Sequence, residues 1–155
     1  MSKKMKSLLS DVEIDVFTSM SAGSSNAEIA DSLSMENSHV RKTKTRIRKK
    51  ITKELSQLAN TLRLQFTDSD IEREVGLLKC FDWVNNTWVI LVFTPNKGII
   101  AYYDHDCSDN CQKTCENTLT LICEERGIQV DEKISSLPTR LQFDHVFETI
   151  RKQGA

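Results

Sequence analysis

The sequence predicts an α+β fold, in which an all-helical N-terminal part precedes a small α+β part. Apolar residues recur at helical spacing as far as Phe66, whereas three later segments are rich in β-branched and aromatic residues. The charge also changes along the chain, because residues 1–66 carry a net charge of +5 and residues 67–155 a net charge of −6. A chain of 155 residues can form one ordinary domain or two small ones. We therefore expect two parts of opposite charge.

Two short helices are predicted at the start, and both have the same start signal. Ser10 is followed three residues later by Glu13, and Ser25 by Glu28, which is the capping-box pattern. Apolar residues at positions 9, 12, 16 and 20 give the first helix one buried face. We expect it to end near Ala22 and the second helix to follow directly.

A third helix is predicted to begin near Asn37, and its sequence is strongly cationic. Residues 39–50 read HVRKTKTRIRKK, in which eight of the twelve can carry positive charge and none carries negative charge. At 100° per residue, Ile47 and Ile51 fall within about 20° of Val40, so these three form the buried line. A solvated helix usually mixes charges of both signs, so the acid-free face favours contact with a polyanion over simple solubility.

Three leucines continue the helical spacing beyond this cationic segment. The third helix therefore either runs on or bends once into a fourth helix. The leucines form a short seam that either packs inside the monomer or holds two copies together. We assign them as dimerisation residues of a homodimer: Leu55, Leu58 and Leu62.

The second half predicts a three-stranded antiparallel meander followed by two helices. The strands are residues 77–84, 87–93 and 98–103, and turn-forming Asn and Pro-Asn-Lys-Gly segments divide them. The middle strand, TWVILVF, is apolar at both odd and even positions, so both of its faces should be covered, by helices or by a partner subunit. The helices are predicted from Asp109 to Arg126, before Gly127, and from Leu141 to Lys152.

The block GSSNAEIADSL at residues 23–33, with the pair Val40-Arg41 and the later Ile47, Lys50 and Ile51, carries a family resemblance. Residues 9–51 resemble the LuxR-type helix-turn-helix domain without a gap. The chain departs from the family pattern at Glu36, His39 and Thr43. It also places this segment first, whereas in the family it usually comes last.

The resemblance implies that the third helix enters the major groove of double-stranded DNA. Base contacts are then expected from Arg41, Lys42 and Thr45. Phosphate contacts are expected from Ser25, Asn26, Lys44, Arg46 and Lys49. Arg41 is the strongest candidate for reading sequence, because its planar guanidinium can bind guanine O6 and N7 together.

The sequence thus predicts a sequence-specific DNA-binding transcription regulator. We expect a helix-turn-helix DNA-binding domain at residues 1–52, a linker and dimerisation helix at 53–70, and an α+β dimerisation or sensor domain at 71–155. Two alternatives are a sigma-like or adaptor protein that acts only with RNA polymerase, and a metal- or redox-responsive regulator. Catalytic motifs such as a nucleophile elbow or a Gly-rich phosphate loop are missing from the sequence, so we do not expect an enzyme.

The residues DHDCSDNCQKTC place four potential metal ligands close together. They are His105, Cys107, Cys111 and Cys115. Three thiolates and an imidazole can bind Zn²⁺ or an iron–sulfur centre, although the spacing is not that of a Cys-x-x-Cys knuckle. The alternative is a plain apolar stripe, because Cys111 and Cys115 share one helical face with Leu119 and Ile122. The cofactor therefore stays unknown at this stage.

The cytoplasm is the expected location. The longest apolar stretch, Trp88 to Phe93, is far too short to span a bilayer, and the basic first residues are not followed by the apolar region of a secretory signal. We therefore expect no membrane partner.

Overall fold

The computed structural model describes residues 8–106, 108 and 110–153. Within them the fold is α+β, with six helices and a four-stranded antiparallel sheet. The helices are α1 Asp11–Ser21, α2 Asn26–Leu33, α3 Asn37–Thr61, α4 Gln112–Arg126, α5 Glu132–Ser135 and α6 Thr139–Gln153. The strands are β1 Ile71–Glu72, β2 Leu77–Asp82, β3 Thr87–Thr94 and β4 Gly98–Tyr103. Among the described residues, no helix combines the length and apolar character needed to cross a membrane.

The predicted start signals of the first two helices are confirmed. The Ser10 hydroxyl accepts a hydrogen bond from the Glu13 N–H, and the Glu13 carboxylate accepts one from the Ser10 N–H. Ser25 and Glu28 form the same reciprocal pair at the start of α2. Each box supplies acceptors for two backbone N–H groups that would otherwise lack partners at the helix terminus, and both helices begin where the sequence predicts.

Helix α3 runs without a break from Asn37 to Thr61, so the continuous alternative is the observed one. Its buried side is a single line of residues: Val40, Thr43, Ile47, Ile51, Leu55 and Ala59. The predicted domain boundary at residue 52 falls inside this helix. One hydrophobic core includes residues of α1, α2, α3 and the sheet, and therefore spans both predicted domains.

The seam of three leucines is divided between the inside and the outside of the monomer. Leu55 is fully buried in the core that α3 shares with the sheet. Leu58 is partly buried against the same core, and Leu62 is 41% exposed. Leu55 therefore packs within the monomer, which is one of the two alternatives that the sequence left open. Leu62 is the leucine of the seam that faces solvent.

The sheet has four strands in the order β1-β2-β3-β4, so the prediction of three strands is wrong by one. The additional strand, β1, has two residues, and its Ile71 pairs with Leu78 of β2. Two residues cannot show the alternation by which a strand is recognised in a sequence. The pattern therefore gives no signal for β1, while it places β2, β3 and β4 within two residues of their observed bounds.

Strand β3 lies between two hydrophobic cores, as its sequence predicts. Leu91 and Phe93 face the core that contains α1, α2 and α3. Ile90 and Val92 face a second core, to which α4 and α6 contribute. The molecule therefore has three layers, with the sheet between the N-terminal and C-terminal helices.

The C-terminal helices are close to their predicted positions. The predicted start at Asp109 lies outside the described residues, and α4 begins at Gln112. It ends at Arg126, because Gly127 adopts a left-handed backbone conformation with φ of 65°. Helix α6 begins at Thr139, two residues before the predicted start, and the short α5 was not predicted.

A buried arginine joins the three layers. The Arg126 side chain is 5% exposed, and it donates from Nε to the Phe93 carbonyl (2.9 Å) and from a second nitrogen to the Val75 carbonyl (2.6 Å). Its guanidinium lies 4.8 Å from the centre of the Phe17 ring of α1. Burial lowers the pKa of Arg126 to about 10, and the residue stays charged at neutral pH.

Candidate functional site

The exposed face of α3 is cationic along its N-terminal half. Helices α1 and α2 and the sheet all pack against the opposite face, which leaves this one open to solvent. The exposed residues of the face are Arg41, Lys42, Thr45, Lys49 and Lys53. At a rise of 1.5 Å per residue, the distance along the helix from Arg41 to Lys53 is about 18 Å. We call these five residues the α3 face.

The α3 face carries positive charge without a compensating acid. No acidic residue occurs between Glu36 and Glu54 in the sequence. Within the described part of the chain, the recorded ion pairs of α3 involve Arg46, Arg48 and Lys50, and not the cations of the α3 face. Like charges at this spacing repel one another, so an anionic partner would relieve the repulsion.

Glu13 pairs with two other cations of α3. Its carboxylate is 1% exposed and accepts hydrogen bonds from Arg46 Nε (2.9 Å) and Lys50 Nζ (2.7 Å). Burial alone would raise the pKa of Glu13, but the hydrogen bonds from Lys50, the Ser10 N–H and Arg46 lower it to about 2. Arg46, a predicted phosphate contact, is therefore engaged in fixing α3 against α1.

Lys44, another predicted phosphate contact, faces the C-terminal layer. It lines a cavity with Arg48, Glu74 and Arg126, and Arg48 pairs with Glu74 at 2.8 Å. Burial and the nearby Arg48 lower the pKa of Lys44, while Glu74 opposes the shift. The helical angle of Lys44, near the buried side, agrees with this position.

The predicted polar contacts occupy defined positions at helix starts and on the α3 face. Ser25 caps α2 with its hydroxyl, and Asn26 is the first residue of that helix. Among the described residues, Asn26 Oδ1 has no hydrogen-bond partner although it is buried. Thr45 is exposed, and its hydroxyl donates a hydrogen bond to the Arg41 carbonyl (3.1 Å).

A shallow groove beside the α3 face collects further positive charge. It is lined by Thr45, Arg48, Lys49, Thr52, Lys53 and Arg73. Arg73 follows β1 in the chain and reaches the groove only through the folding of the sheet against α3. It pairs with Asp68 at 3.5 Å. The sequence pattern does not indicate Arg73, because nothing in its local context places it beside α3.

The cysteine-rich segment brings three of its four predicted ligands together. His105 Nε2 lies 3.4 Å from Cys111 Sγ and 3.5 Å from Cys115 Sγ. All three donor atoms lie within 4.8 Å of one another. Cys107, the fourth predicted ligand, lies outside the described residues. We call His105, Cys111 and Cys115 the His-Cys cluster.

The tautomer of His105 follows from its second hydrogen bond. His105 Nδ1 lies 2.5 Å from the Tyr103 carbonyl oxygen, which can only accept, so Nδ1 carries the proton. This bond, together with the one to Cys111, raises the pKa of His105, and desolvation opposes the shift. In the neutral ring the Nε2 lone pair then faces the two sulfur atoms.

Two cysteines outside the cluster have ordinary packing roles. Cys80 is 1% exposed and its thiol donates to the Val89 carbonyl, and burial raises the pKa of Cys80 to about 11. Burial also raises the pKa of Cys123. Both environments disfavour the thiolate.

Comparison of the chain with models of known protein families, with characterised proteins and with solved structures found no match. Membership of residues 9–51 in the LuxR-type family therefore stays a prediction from the sequence motifs.

Proposed function

We propose that the protein is a sequence-specific double-stranded DNA-binding regulator of transcription that places the α3 face in the major groove. The observation that carries this proposal is the acid-free, exposed and cationic α3 face, which no other element of the described chain covers. A second support is the sequence resemblance of residues 9–51 to a DNA-binding domain.

The dimensions of the α3 face suit a duplex. The major groove of B-DNA is about 12 Å wide and admits one α-helix. A duplex carries about one negative charge per 1.7 Å of its axis, so a helix face of about 18 Å lies near several phosphates. Arg46, Arg48 and Lys50 are paired with acids and fix the helix, while the residues of the α3 face supply the contacts.

The residues of the α3 face take different roles in this proposal. Arg41 reads a base pair, since a guanidinium can bind guanine bidentately. The exposed Thr45 carries a methyl group that suits apolar contact with a thymine methyl group. Lys49 and Lys53 bind phosphates, and they share their groove with Arg48 and Arg73. Lys42 lies between the two groups and can serve either role.

A homodimer over a roughly palindromic site is part of the proposal, since two recognition helices then occupy successive major grooves. Helices α2 and α3 are joined by the three residues 34–36, and Ser34 adopts a left-handed conformation with φ of 53°. Such a short turn supports a helix-turn-helix unit. Leu62 is the predicted dimerisation residue that is available at the surface.

Selection of bound duplexes from a random pool, followed by binding titrations on the selected sequence, tests the proposal. Arg41→Ala should weaken binding by about 1–3 kcal/mol and relax the preference at one base pair. Lys49→Ala should weaken all sequences alike and reduce the slope of log K against log salt by about 0.9. Lys133→Ala, an exposed lysine of α5, is the matched control and should leave both quantities unchanged.

The proposal fails if Arg41→Ala and Lys49→Ala bind the selected duplex as wild type does. If the purified protein selects no duplex alone but binds promoter DNA together with RNA polymerase, the sigma-like or adaptor alternative replaces it.

A further inference from the structure

We infer that the His-Cys cluster is a binding site for a zinc ion, with His105, Cys111 and Cys115 as ligands. This inference does not depend on DNA binding, because the cluster lies on the opposite side of the sheet from α3. Its residues contact the second core, formed by α4, α6 and the other face of the sheet.

The separations between donor atoms agree with tetrahedral zinc. Zinc–sulfur bonds of about 2.3 Å and zinc–nitrogen bonds of about 2.05 Å, at the tetrahedral angle, place sulfur and nitrogen about 3.6 Å apart. The observed separations from His105 Nε2 are 3.4 Å to Cys111 Sγ and 3.5 Å to Cys115 Sγ. The two nitrogen–sulfur separations thus match those of ligands that share one ion, and all three donor atoms lie within 4.8 Å of one another.

The outer contacts of His105 are those of a metal ligand. A ligating histidine usually donates its second ring N–H to a carbonyl or carboxylate, which fixes the ring and its tautomer. His105 Nδ1 does so with the Tyr103 carbonyl. Because Tyr103 is the last residue of β4, this hydrogen bond holds the imidazole at a fixed end of the sheet.

The two sulfur ligands are fixed by α4. Cys111 is the residue just before the helix, and Cys115 lies one turn further on, so both side chains lie on the same face. The helix is 15 residues long, and Leu119 and Ile122 anchor the same face in the second core. The positive end of the helix dipole also favours anionic ligands at this terminus.

The types of donor select the metal. Two thiolates and an imidazole suit zinc, whereas magnesium and calcium require oxygen ligands. Three protein ligands leave the fourth tetrahedral position for water or another donor. Cys80 is enclosed and its thiol donates to a backbone carbonyl, whereas the half-buried Cys111 and the buried Cys115 both place their sulfur atoms beside the His105 imidazole.

Metal titration of the full-length protein tests the site. The protein is purified under a reductant that does not bind metals, treated with a chelator, and titrated with Zn²⁺ and separately with Co²⁺. Wild type should bind one equivalent of zinc, and cobalt should give a thiolate charge-transfer band and the visible bands of tetrahedral coordination. His105→Ala and Cys111→Ser should each weaken zinc binding by at least about tenfold, the loss that even outer-shell changes produce.

Matched variants separate the site from a general loss of folding. Cys123→Ser, on the same helix, and His145→Ala, an exposed histidine of α6, should bind zinc and cobalt as wild type does. Zinc should also raise the melting temperature of wild type and of these controls, but not of folded His105→Ala. Circular dichroism without metal establishes that each variant is folded. Absence of cobalt bands in wild type, or unchanged zinc affinity in His105→Ala and Cys111→Ser, overturns the inference.

Discussion

The buried carboxylate of Glu13 gives the sharpest test of how α3 is held. Glu13→Gln keeps the size of the side chain and an acceptor oxygen for the Ser10 N–H, but removes the charge opposite Arg46 and Lys50. Two cations then lose their partner beside a buried amide. We expect a loss of stability at neutral pH.

The magnitude follows from the pKa. Lowering the pKa of Glu13 from 4.5 to about 2 corresponds to about 3 kcal/mol of folding free energy. Arg46 and Lys50 are 51% and 38% exposed, so solvent screening reduces the expected loss to about 2 kcal/mol.

The dependence on pH has a definite sign. Because the folded pKa is lowered, the stabilisation is complete above pH 4.5 and is lost as the pH falls toward 2. The difference between Glu13→Gln and wild type should therefore shrink to less than half at about pH 3. Urea denaturation at pH 7 and pH 3, followed by circular dichroism, measures both differences.

Glu28→Gln is the matched control for this experiment. Glu28 occupies the same position in the capping box of α2 but is exposed, and no ion pair of Glu28 is recorded among the described residues. Its replacement should cost much less than that of Glu13. Equal losses in the two variants, or a Glu13→Gln difference that does not change between pH 7 and pH 3, would refute the argument.

Two further predictions concern packing. Arg126→Met leaves the Phe93 and Val75 carbonyls without their donor, so the free energy of unfolding measured with urea should fall by about 2–4 kcal/mol. Arg140→Met removes an exposed ion pair and should change that free energy little. A fall below about 1 kcal/mol for Arg126→Met would contradict the bridging role of Arg126. Leu55→Ala should cost about 2–5 kcal/mol at every protein concentration, because Leu55 packs within the monomer. For the proposed homodimer, Leu62→Asp should lower the mass measured by sedimentation without lowering stability, and an unchanged mass would contradict a dimer contact at Leu62.

Local signals in the sequence account for much of the fold. The capping boxes that begin at Ser10 and Ser25 join residues three positions apart, so their spacing shows in the sequence. The continuous apolar run of β3 is equally local and can be read directly from the sequence. The two-residue β1 and the short α5 lie below the length at which periodicity can be recognised.

The candidate surfaces were only partly predictable from the sequence, because ion pairs between residues far apart in the chain decide which cations are compensated. Arg46 and Arg41 are the same residue type and both are exposed, yet Arg46 pairs with the buried Glu13, 33 residues away, whereas no ion pair of Arg41 is recorded among the described residues. Local spacing cannot show that Glu13 lies opposite α3 or that Arg73 reaches the groove. The His-Cys cluster was predictable as a set of ligand types, but its convergence depends on how β4 leads into α4.

Strand β3 also determines how the chain can be divided. Alternate residues of β3 pack into the two cores. A fragment that ends after α3 would therefore lack the apolar side chains of the sheet against which α1, α2 and α3 pack. The complementary fragment would expose Leu91 and Phe93 to water. Neither half retains a complete interior, so we expect the cationic helix and the His-Cys cluster to unfold together rather than as separate domains.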